Sequence, residues 1–438
     1  AGLTIGEGVT VSSYARINDG SFLNAGILNN IRNVGDYDAK FTGNVNKIIS
    51  DGDGNVTVVE ANTGDIEING DGALNVTGKA DKSNTIGTVT PKGAGDISIE
   101  SVNAVQIDGS GADFAGAITV DKVNTFKTTN AIANEAHAAE INISNVTNST
   151  VLGYKGKGKV TLDKVKGNGG TDMIVVNQTA NTQPFTATDL SGTFQLVKYN
   201  GTGNVDVEGV AAGVTLTDDT ELKGGDVTLK NLVMTATGKK ITKTGTGALV
   251  MESINLIQVD NAGGTISATG EKTTSVTRQS ISTLTQKGKA NVTLTNMYDV
   301  TTLNINEDAN VDYENTYIGT FVLAANKKST ATGTKASGIG TATVNTGATF
   351  TPATDVWDGS VCPTQTTGAV YTSASLAALC GTSATTATLY LDLDMGGTLN
   401  FQDKATTPNK GIANAVTTFN GNSKKISNLK AETGLFKN

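Results

Sequence analysis

The stretch that decides the fold is ISIESVNAVQIDG, residues 97–109, which returns as LVMESINLIQVDN at residues 249–261. Apolar residues recur at matching places, so that Ile97 and Ile99 correspond to Leu249 and Met251. The polar residues recur unchanged, with Glu100, Ser101, Asn103, Gln106 and Asp108 returning as Glu252, Ser253, Asn255, Gln258 and Asp260. Self-similarity of this kind indicates a chain built from stacked repeats.

The repeat is defined by the pattern apolar-x-apolar-x-x-apolar. Clear copies begin at Ile97, Ile118, Ile141, Val160, Val205, Val227, Leu249 and Val292. FTATDL, which starts at Phe185, is a degenerate copy that fills one of the gaps. The spacing predicts a unit of about 22 residues.

Each part of this pattern has a structural meaning. Apolar-x-apolar has a period of two, which is typical of a strand with one buried face. The x-x pair breaks the alternation, so we expect it to bend the chain and to return an apolar side chain to the interior. A unit this short cannot bury its apolar side alone, and it must stack on its neighbours. We therefore predict a right-handed parallel β-helix (a β-solenoid), in which Ile97, Ile118 and Ile141 lie one above another.

Two other repeat architectures fit less well. A leucine-rich repeat has a similar length, but it requires Leu-dominated positions and a consistent Asn ladder. An array of β-sandwiches would have a longer period and more aromatic core residues. The recurring polar residues Glu100 and Asn103 fit corner roles, in which they stack or hydrogen-bond between turns, better than ligand binding.

Composition limits the classes of function. The 438 residues have a formal net charge of −8 and no basic stripe, which makes nucleic acid a poor partner. No run of 18 apolar residues is present, so we expect no transmembrane helix. His137 is the single histidine, so the most common acid–base catalyst and metal ligand is available at one position only.

The chain divides by composition into four parts. Residues 1–50 fit the repeat loosely and suggest an N-terminal cap with the first coils, which are followed by the repeat array at 51–325. Residues 326–350 are small and polar, and they predict a linker or an extended loop. Residues 351–438 contain the cysteines and differ in character. The Ala-rich stretch 131–140 predicts a single helical turn in a loop, with His137 exposed to solvent rather than bound to a metal.

Cys362 and Cys380 are the only cysteines, and they lie 18 residues apart. A close pair in an otherwise cysteine-free chain favours a disulfide and an oxidising compartment. The alternative is two free buried thiols. A zinc site is disfavoured, because no further Cys or His lies near them.

The sequence DGDGN at 51–55 is a candidate calcium loop. Asp51, Asp53 and Asn55 alternate, as oxygen ligands for calcium do. However, Val56 replaces the required glycine of an EF-hand, and Asn62 stands where the twelfth-position Glu should be. The alternative is an Asp-Gly turn. We expect no other cofactor.

Catalysis receives little support from the sequence. Polysaccharide lyases and some glycosidases use β-helices, but they need clustered carboxylates or an Arg, Lys or Tyr base on one face. Arg278 is the only arginine beyond the N-terminal region. Asp392 and Asp394 alternate on one predicted strand. We therefore expect a protein that is not an enzyme.

The last 80 or so residues resemble the start of a GLUG-motif region. The matching segments are Trp357-Asp358-Gly359, Ser373 to Leu379, Leu391 to Gly397, Phe419 to Asn422, Ile426 to Leu429, and Gly434-Leu435-Phe436. The resemblance implies an exported bacterial surface protein with a β-helical fold, often adhesive, and it implies no catalytic residues. Members of this family continue past the final motif, so we expect this region to continue or to be completed by another chain.

Three functional hypotheses follow. The first is a structural subunit of a bacterial surface layer or filament that self-associates outside the cell. The second is an adhesin or autotransporter-type passenger that binds a host or neighbouring cell surface. The third is a glycan-active β-helix enzyme of the polysaccharide lyase type. The scarcity of catalytic residue types favours the first two.

Overall fold

The computed structural model describes most of the repeat array and short parts of the C-terminal region. The described residues are 3–6, 9–17, 22–24, 26–34, 36–111, 113–270, 280–297, 299–314, 316–334, 338–351, 369–370, 376, 379, 384–389, 393–394 and 416–427.

The chain forms two compact units, Ala1–Gly225 (unit 1) and Asp226–Asn438 (unit 2). The strands of unit 1 are β1 (Leu3–Ile5), β2 (Thr10–Ile17), β3 (Phe22–Asn24), β4 (Ile27–Asn33), β5 (Ala39–Phe41), β6 (Val45–Ser50), β7 (Val56–Val59), β8 (Thr63–Ile68), β9 (Leu74–Thr77), β10 (Thr88–Pro91), β11 (Ile97–Glu100), β12 (Ala104–Asp108), β13 (Ile118–Asp121), β14 (Thr125–Asn130), β15 (Ile141–Val146), β16 (Ser149–Tyr154), β17 (Val160–Asn168), β18 (Met173–Val176), β19 (Phe185–Phe194), β20 (Leu196–Tyr199), β21 (Val205–Gly209), β22 (Val214–Leu216) and β23 (Thr220–Leu222).

Unit 2 is likewise built from strands within its described residues. They are β24 (Val227–Lys230), β25 (Leu232–Met234), β26 (Ile241–Lys243), β27 (Leu249–Glu252), β28 (Asn255–Asn261), β29 (Ile266–Thr269), β30 (Ser280–Gln286), β31 (Val292–Thr295), β32 (Asp299–Ile305), β33 (Ala309–Glu314), β34 (Tyr317–Leu323), β35 (Lys328–Thr334), β36 (Gly338–Val344), β37 (Thr349–Thr351), β38 (Ala369–Val370), β39 (Thr386–Leu389), β40 (Leu393–Asp394), β41 (Thr418–Asn420) and β42 (Ile426–Ser427).

The strands stack in parallel as a β-solenoid, whose successive turns lie about 21 residues apart. Each turn contributes one strand to row A, which begins with the apolar-x-apolar motif, and usually one to row B, which follows the corner. In unit 1, row A runs through β11, β13 and β15, while row B runs through β12, β14 and β16. Each strand pairs with the strands of the turns before and after it, so the backbone groups of both rows are hydrogen-bonded except at the ends of the stack.

The predicted register is confirmed. Ile97 pairs with Ile118, and Ile118 pairs with Ile141, in consecutive turns. All three side chains are buried, with at most 1% of their surface exposed. Their alignment along the stack produces one continuous apolar core in unit 1, as the period-two pattern predicts. Turn length varies around the average, because Ala39 pairs with Val56 after 17 residues.

The x-x pair bends the chain through a residue in the left-handed region. In unit 1, Ser101 has φ 59° and Asn145 has φ 52°; in unit 2, Asn231 has φ 56°. Hydrogen bonds between turns continue through the bend, since the Ser101 N–H donates to the Asp121 carbonyl at 3.1 Å. The predicted bend is therefore a single residue with positive φ. Other residues at this place are Lys122, Lys164, Asp189, Ser253 and Asn296.

The loops between row B and row A are held close by glycine. A Cβ on Gly72 would lie 2.1 Å from the Gly54 carbonyl oxygen of the preceding turn, and one on Gly95 would lie 2.1 Å from the Gly72 oxygen. Any side chain here would therefore collide with the neighbouring backbone. The x-G-x-G loops are a close-packed part of the stack.

Unit 2 continues the same scheme through residues that composition predicts as a linker. Residues 328–334, 338–344 and 349–351 form β35, β36 and β37, and Ala331 pairs with Val311 in the preceding turn. Small polar residues are compatible with strands here, because the preceding turn supplies a template of hydrogen bonds. Farther along, β40 pairs with β42 through Leu393 and Ile426, which joins two of the GLUG-like segments.

Candidate functional site

The predicted calcium residues form bonds between turns of unit 1. The Oδ1 of Asp53 accepts the Asp71 N–H at 2.9 Å, and the Oδ1 of Asn55 accepts the Ala73 N–H at 3.0 Å. Asp51 accepts the Asn69 side-chain amide at 2.7 Å and forms an ion pair with Arg32. These oxygens therefore help to fix one turn on the next.

No metal centre is evident in the part of the chain that the structure describes. Among those residues, no group of three or more His, Cys, Asp or Glu side chains could hold a metal ion. Calcium at Asp51, Asp53 and Asn55 remains a prediction, with hydrogen bonding between turns as the role that the geometry gives these residues. Cys362 and Cys380, and with them the predicted disulfide, lie outside the described residues.

His137 is buried, so the prediction of an exposed loop histidine is wrong. Only 1% of the residue is exposed. Its Nε2 lies 2.7 Å from the Gly116 carbonyl oxygen, and its Nδ1 lies 2.9 Å from the Tyr154 hydroxyl. The ring stacks on Phe114 with 5.3 Å between centroids. Burial lowers the pKa of His137, which favours the neutral imidazole.

The local backbone explains how His137 reaches the interior. The stretch 131–140 contains a turn closed by the His137 N–H and the Asn134 carbonyl at 3.1 Å, and Ile132 forms a bridge to Tyr154. Phe114 and Tyr154 come from the neighbouring turns of the coil and close over the ring. Burial here depends on contacts about one turn away in sequence, which the local composition does not reveal.

Tyrosine hydroxyl groups anchor the glycine-rich loops of unit 1. The Tyr154 hydroxyl accepts the Gly158 N–H at 2.7 Å, and the Tyr199 hydroxyl accepts the Gly203 N–H at 3.1 Å. Asn181 donates to the Gly158 carbonyl at 3.1 Å. Burial raises the pKa of Tyr154 to about 12, so its hydroxyl stays protonated.

In unit 2 a lysine and two amides occupy the comparable place, the last inward position of row B. Lys243 pairs with Asn261, and Asn261 pairs with Gln286, in successive turns. None of the three has any exposed surface. The Lys243 ammonium donates to the carbonyls of Gly245 at 2.6 Å and Gly263 at 2.9 Å, and it also contacts the Gly247 carbonyl.

Other polar groups of this column bond to one another and to the loops, whereas the buried Asn261 side-chain oxygen has no hydrogen-bond partner among the described residues. Asn261 donates to the Gln286 side-chain oxygen at 3.0 Å, and Gln286 donates to the Ala290 carbonyl at 3.0 Å. Burial lowers the pKa of Lys243 to about 8, and Asp226 opposes this shift. The buried groups with the most reactive chemistry, His137 and Lys243, are thus engaged in holding loops in place.

Sequence reasoning missed these anchors, although a signal for them is present. Each anchor stands directly before an x-G-x-G segment: Tyr154 before KGKGK, Tyr199 before NGTGN and Lys243 before TGTGA. A polar residue that ends a strand and precedes such a loop has carbonyl groups within reach. The recurrence of this combination could have indicated the column.

The outer face of row B in unit 1 carries an apolar strip, defined as Val151, Met173, Val175 and Leu196. Val151 pairs with Met173, and Met173 pairs with Leu196, in consecutive turns. Their sequence neighbours Leu152, Ile174 and Val197 are buried. Because successive side chains of a strand point to opposite faces of the sheet, the side chains of the strip point outward, where they are partly exposed. The strip is thus an outward ladder of apolar side chains on a regular sheet.

The two ends of the apolar strip differ in charge. Exposed Lys127 pairs with Val151 and lies one turn before the strip. At the other end, Lys198 pairs with Glu221 and forms an ion pair with it at 2.9 Å. Asp219 is also exposed and lies two residues before Glu221. In the column of Met173, Lys127 therefore stands at one end and Asp219 at the other, while Lys198 offsets the charge of Glu221.

On the corresponding face of unit 2, the central column is polar, although Val233 and Val322 also face outward there. Thr283 pairs with Thr302, and Thr302 pairs with Thr320, in consecutive turns. Beside this face, Asp260 lies between two lysines, with Lys240 at 3.2 Å and Lys287 at 2.9 Å. Unit 2 also has a shallow groove of about 420 Å³, which is lined by polar and charged side chains such as Lys289, Asn310 and Lys328.

No family model, no curated protein and no solved structure matches this chain. Among the described residues, no helix is both long enough and apolar enough to span a membrane.

Proposed function

We propose that this chain is a non-catalytic structural subunit of a bacterial surface layer or filament, in which its β-solenoid associates with further copies outside the cell. The observation that carries the proposal is the apolar strip. Val151, Met173 and Leu196 form an aligned ladder over three consecutive turns on the outer face of row B, whereas outward apolar residues of other turns, such as Ile49 and Val233, stand beside polar neighbours. An outward apolar ladder is typical of a surface that is covered in an assembly.

The inner anchors support the non-catalytic part of this proposal. Among the buried residues that the structure describes, His137, Tyr154 and Lys243 carry groups suited to acid–base or nucleophilic chemistry, and each is at most 1% exposed. Their polar atoms are bonded to carbonyl and amide groups of the loops. A catalytic group must reach a substrate, which these positions prevent.

Export to the surface is supported by the sequence of the C-terminal region. The resemblance of residues 357–438 to a GLUG-motif region implies an exported bacterial protein. A stack in which glycine loops, left-handed bends and polar anchors recur along the coil suits a stiff extracellular element. Among the described residues, the core is formed largely by aligned Val, Ile and Leu side chains.

Electron microscopy of the purified full chain tests this proposal. A structural subunit is expected to form ordered sheets or fibres as the protein concentration rises. Single particles at every concentration, in low and high salt and with added calcium, would contradict it. Release of reducing sugar ends from a panel of acidic glycans would instead support the enzyme hypothesis.

An adhesin is the second candidate, and the groove of unit 2 favours it. Lys289, Asn310 and Lys328 offer hydrogen-bond donors and positive charge at an open surface, which suits an acidic or hydroxyl-rich ligand such as a glycan. Glycan-array binding that is lost in Lys328→Ala, by a protein that remains monomeric, would favour this candidate over the structural subunit.

A further inference from the structure

We propose that two copies of this chain pair side by side and antiparallel through the apolar strip of unit 1, around a two-fold axis that runs along the strand containing Met173 and Val175. This inference rests on the proposed function and specifies the contact that builds the assembly. It identifies the partner as a second copy of the chain, with row B packed against row B.

The order of side chains along the strip fits such an axis. A two-fold axis parallel to the strands reverses the order of the turns, so each turn before the axis faces a turn after it. Met173 then faces Met173 of the second copy, and Val151 faces Leu196. Gly153, which pairs with Val175 in its own chain, faces Lys198.

The charged ends of the strip also match under this operation. Lys127 lies two turns before the axis, whereas Glu221 lies two turns after it and Asp219 precedes Glu221 by two residues. Pairing therefore brings Lys127 of each copy onto Asp219 of the other. A parallel arrangement of copies in the same register would place Lys127 against Lys127. Opposite charges at an interface rim select orientation and exclude the wrong register.

The size of the strip sets the expected strength of the contact. The three turns of the strip and the two flanking turns, which carry Lys127 and Glu221, together extend about 20 Å at the strand spacing, and two outward columns give an area on the order of 350 Å² per copy. Stable complexes bury about 800 Å² per partner. The pair is therefore expected to be weak and reversible alone, and to be effective when many contacts act together in a lattice.

Sedimentation velocity of the full chain over a concentration series tests the central contact. Met173→Asp places two carboxylates against each other and is expected to raise the dimer dissociation constant about tenfold or more. The matched control is Thr302→Asp on the same row of unit 2, which is expected to leave the dissociation constant unchanged. Equal effects of the two substitutions, or no effect of Met173→Asp, would overturn the proposal.

A charge exchange tests the orientation of the two copies. Lys127→Glu is expected to weaken pairing, and adding Asp219→Lys is expected to restore it, because the exchanged charges face each other again. The control is Lys40→Glu, at an exposed position of row A. It makes the same charge change away from the strip and should leave pairing unaltered. Failure of Asp219→Lys to rescue would overturn the antiparallel register.

The outcome also separates this inference from the proposed function. Ordered sheets or fibres that persist in Met173→Asp would leave the structural function in place and would refute this contact. A wild-type chain that remains monomeric at every concentration would refute both.

Discussion

Row B carries different side chains in the two units, both at its inner end and on its outer face. In unit 1 the inner anchor is Tyr154 and the outer ladder includes Met173; in unit 2 the inner anchor is Lys243 and the outer ladder includes Thr302. The strands nevertheless pair in parallel register in both units. The stacked backbone therefore accepts different side chains at these inner and outer positions. The outer positions are thus available for binding.

The largest expected effect comes from removing the lysine anchor of unit 2. Lys243→Met deprives three loop carbonyls of their donor, and we expect a loss of about 2–4 kcal/mol in the free energy of unfolding. Lys243→Gln gives this position the amide chemistry of Asn261 and Gln286, so it should lose less than half as much. Urea unfolding followed by circular dichroism measures both. Equal losses would show that charge, rather than donor capacity, matters at this place.

The tyrosine anchors of unit 1 should have a smaller and more local effect. Tyr154→Phe keeps the ring but removes the hydroxyl that accepts the Gly158 N–H and contacts His137 Nδ1, so we expect a loss of about 1–3 kcal/mol. The Gly158 N–H then keeps only the His137 carbonyl, at 3.1 Å, as its acceptor. Hydrogen exchange should accelerate at Gly158 in this variant and at Gly203 in Tyr199→Phe. If both variants affected both glycines equally, the anchors would not act turn by turn.

Acid should distinguish the two units, because only unit 1 contains a histidine. Burial lowers the pKa of His137 below its usual 6.5, so the unfolded chain takes up the proton first as the pH falls. The stability that the neutral imidazole contributes is complete above about pH 6.5 and is lost as the pH falls towards the folded-state pKa.

The matched measurement is the urea midpoint at about pH 7.5 and about pH 5. The wild-type midpoint should fall more between these values than that of His137→Gln, in which the titrating group is absent. Parallel curves for the two proteins would mean that His137 does not contribute to the acid sensitivity.

The smallest expected effect is on the outer face of unit 2. Thr302→Val makes that face resemble the strip of unit 1, and the stability should change by no more than about 0.5 kcal/mol, since the position is on the surface. Thermal unfolding measures this change. A large loss would mean that the threonine ladder supports the stack instead of only covering it.

The sequence predicts the coil well, because its register depends on a local pattern. The alternation at Ile97 and the x-x pair together determine which side chains turn inward, and Asn145 and Asn231 are residues that accept a left-handed bend. Lys122 and Lys164 adopt the same bend without such a preference, because the stack above and below imposes it.

The contacts between turns are harder to predict. His137 is buried by Phe114 and Tyr154 from neighbouring turns, and the strip exists because Val151, Met173 and Leu196 align across three turns of unequal length. The outward parity of these residues is visible in the sequence. To predict their alignment, one must know the register of each turn, and the variable loop lengths between the strands make this register difficult to determine from the sequence.

The most direct test of the account is disulfide formation at the centre of the strip. Met173→Cys in the full chain should give a covalent dimer under mild oxidation, because residue 173 faces its counterpart across the two-fold axis. The wild-type chain is the control for any dimer that forms through Cys362 or Cys380. Thr302→Cys should remain monomeric on a non-reducing gel. A dimer at residue 302 and none at residue 173 would contradict the claim that the apolar strip joins two copies of this chain.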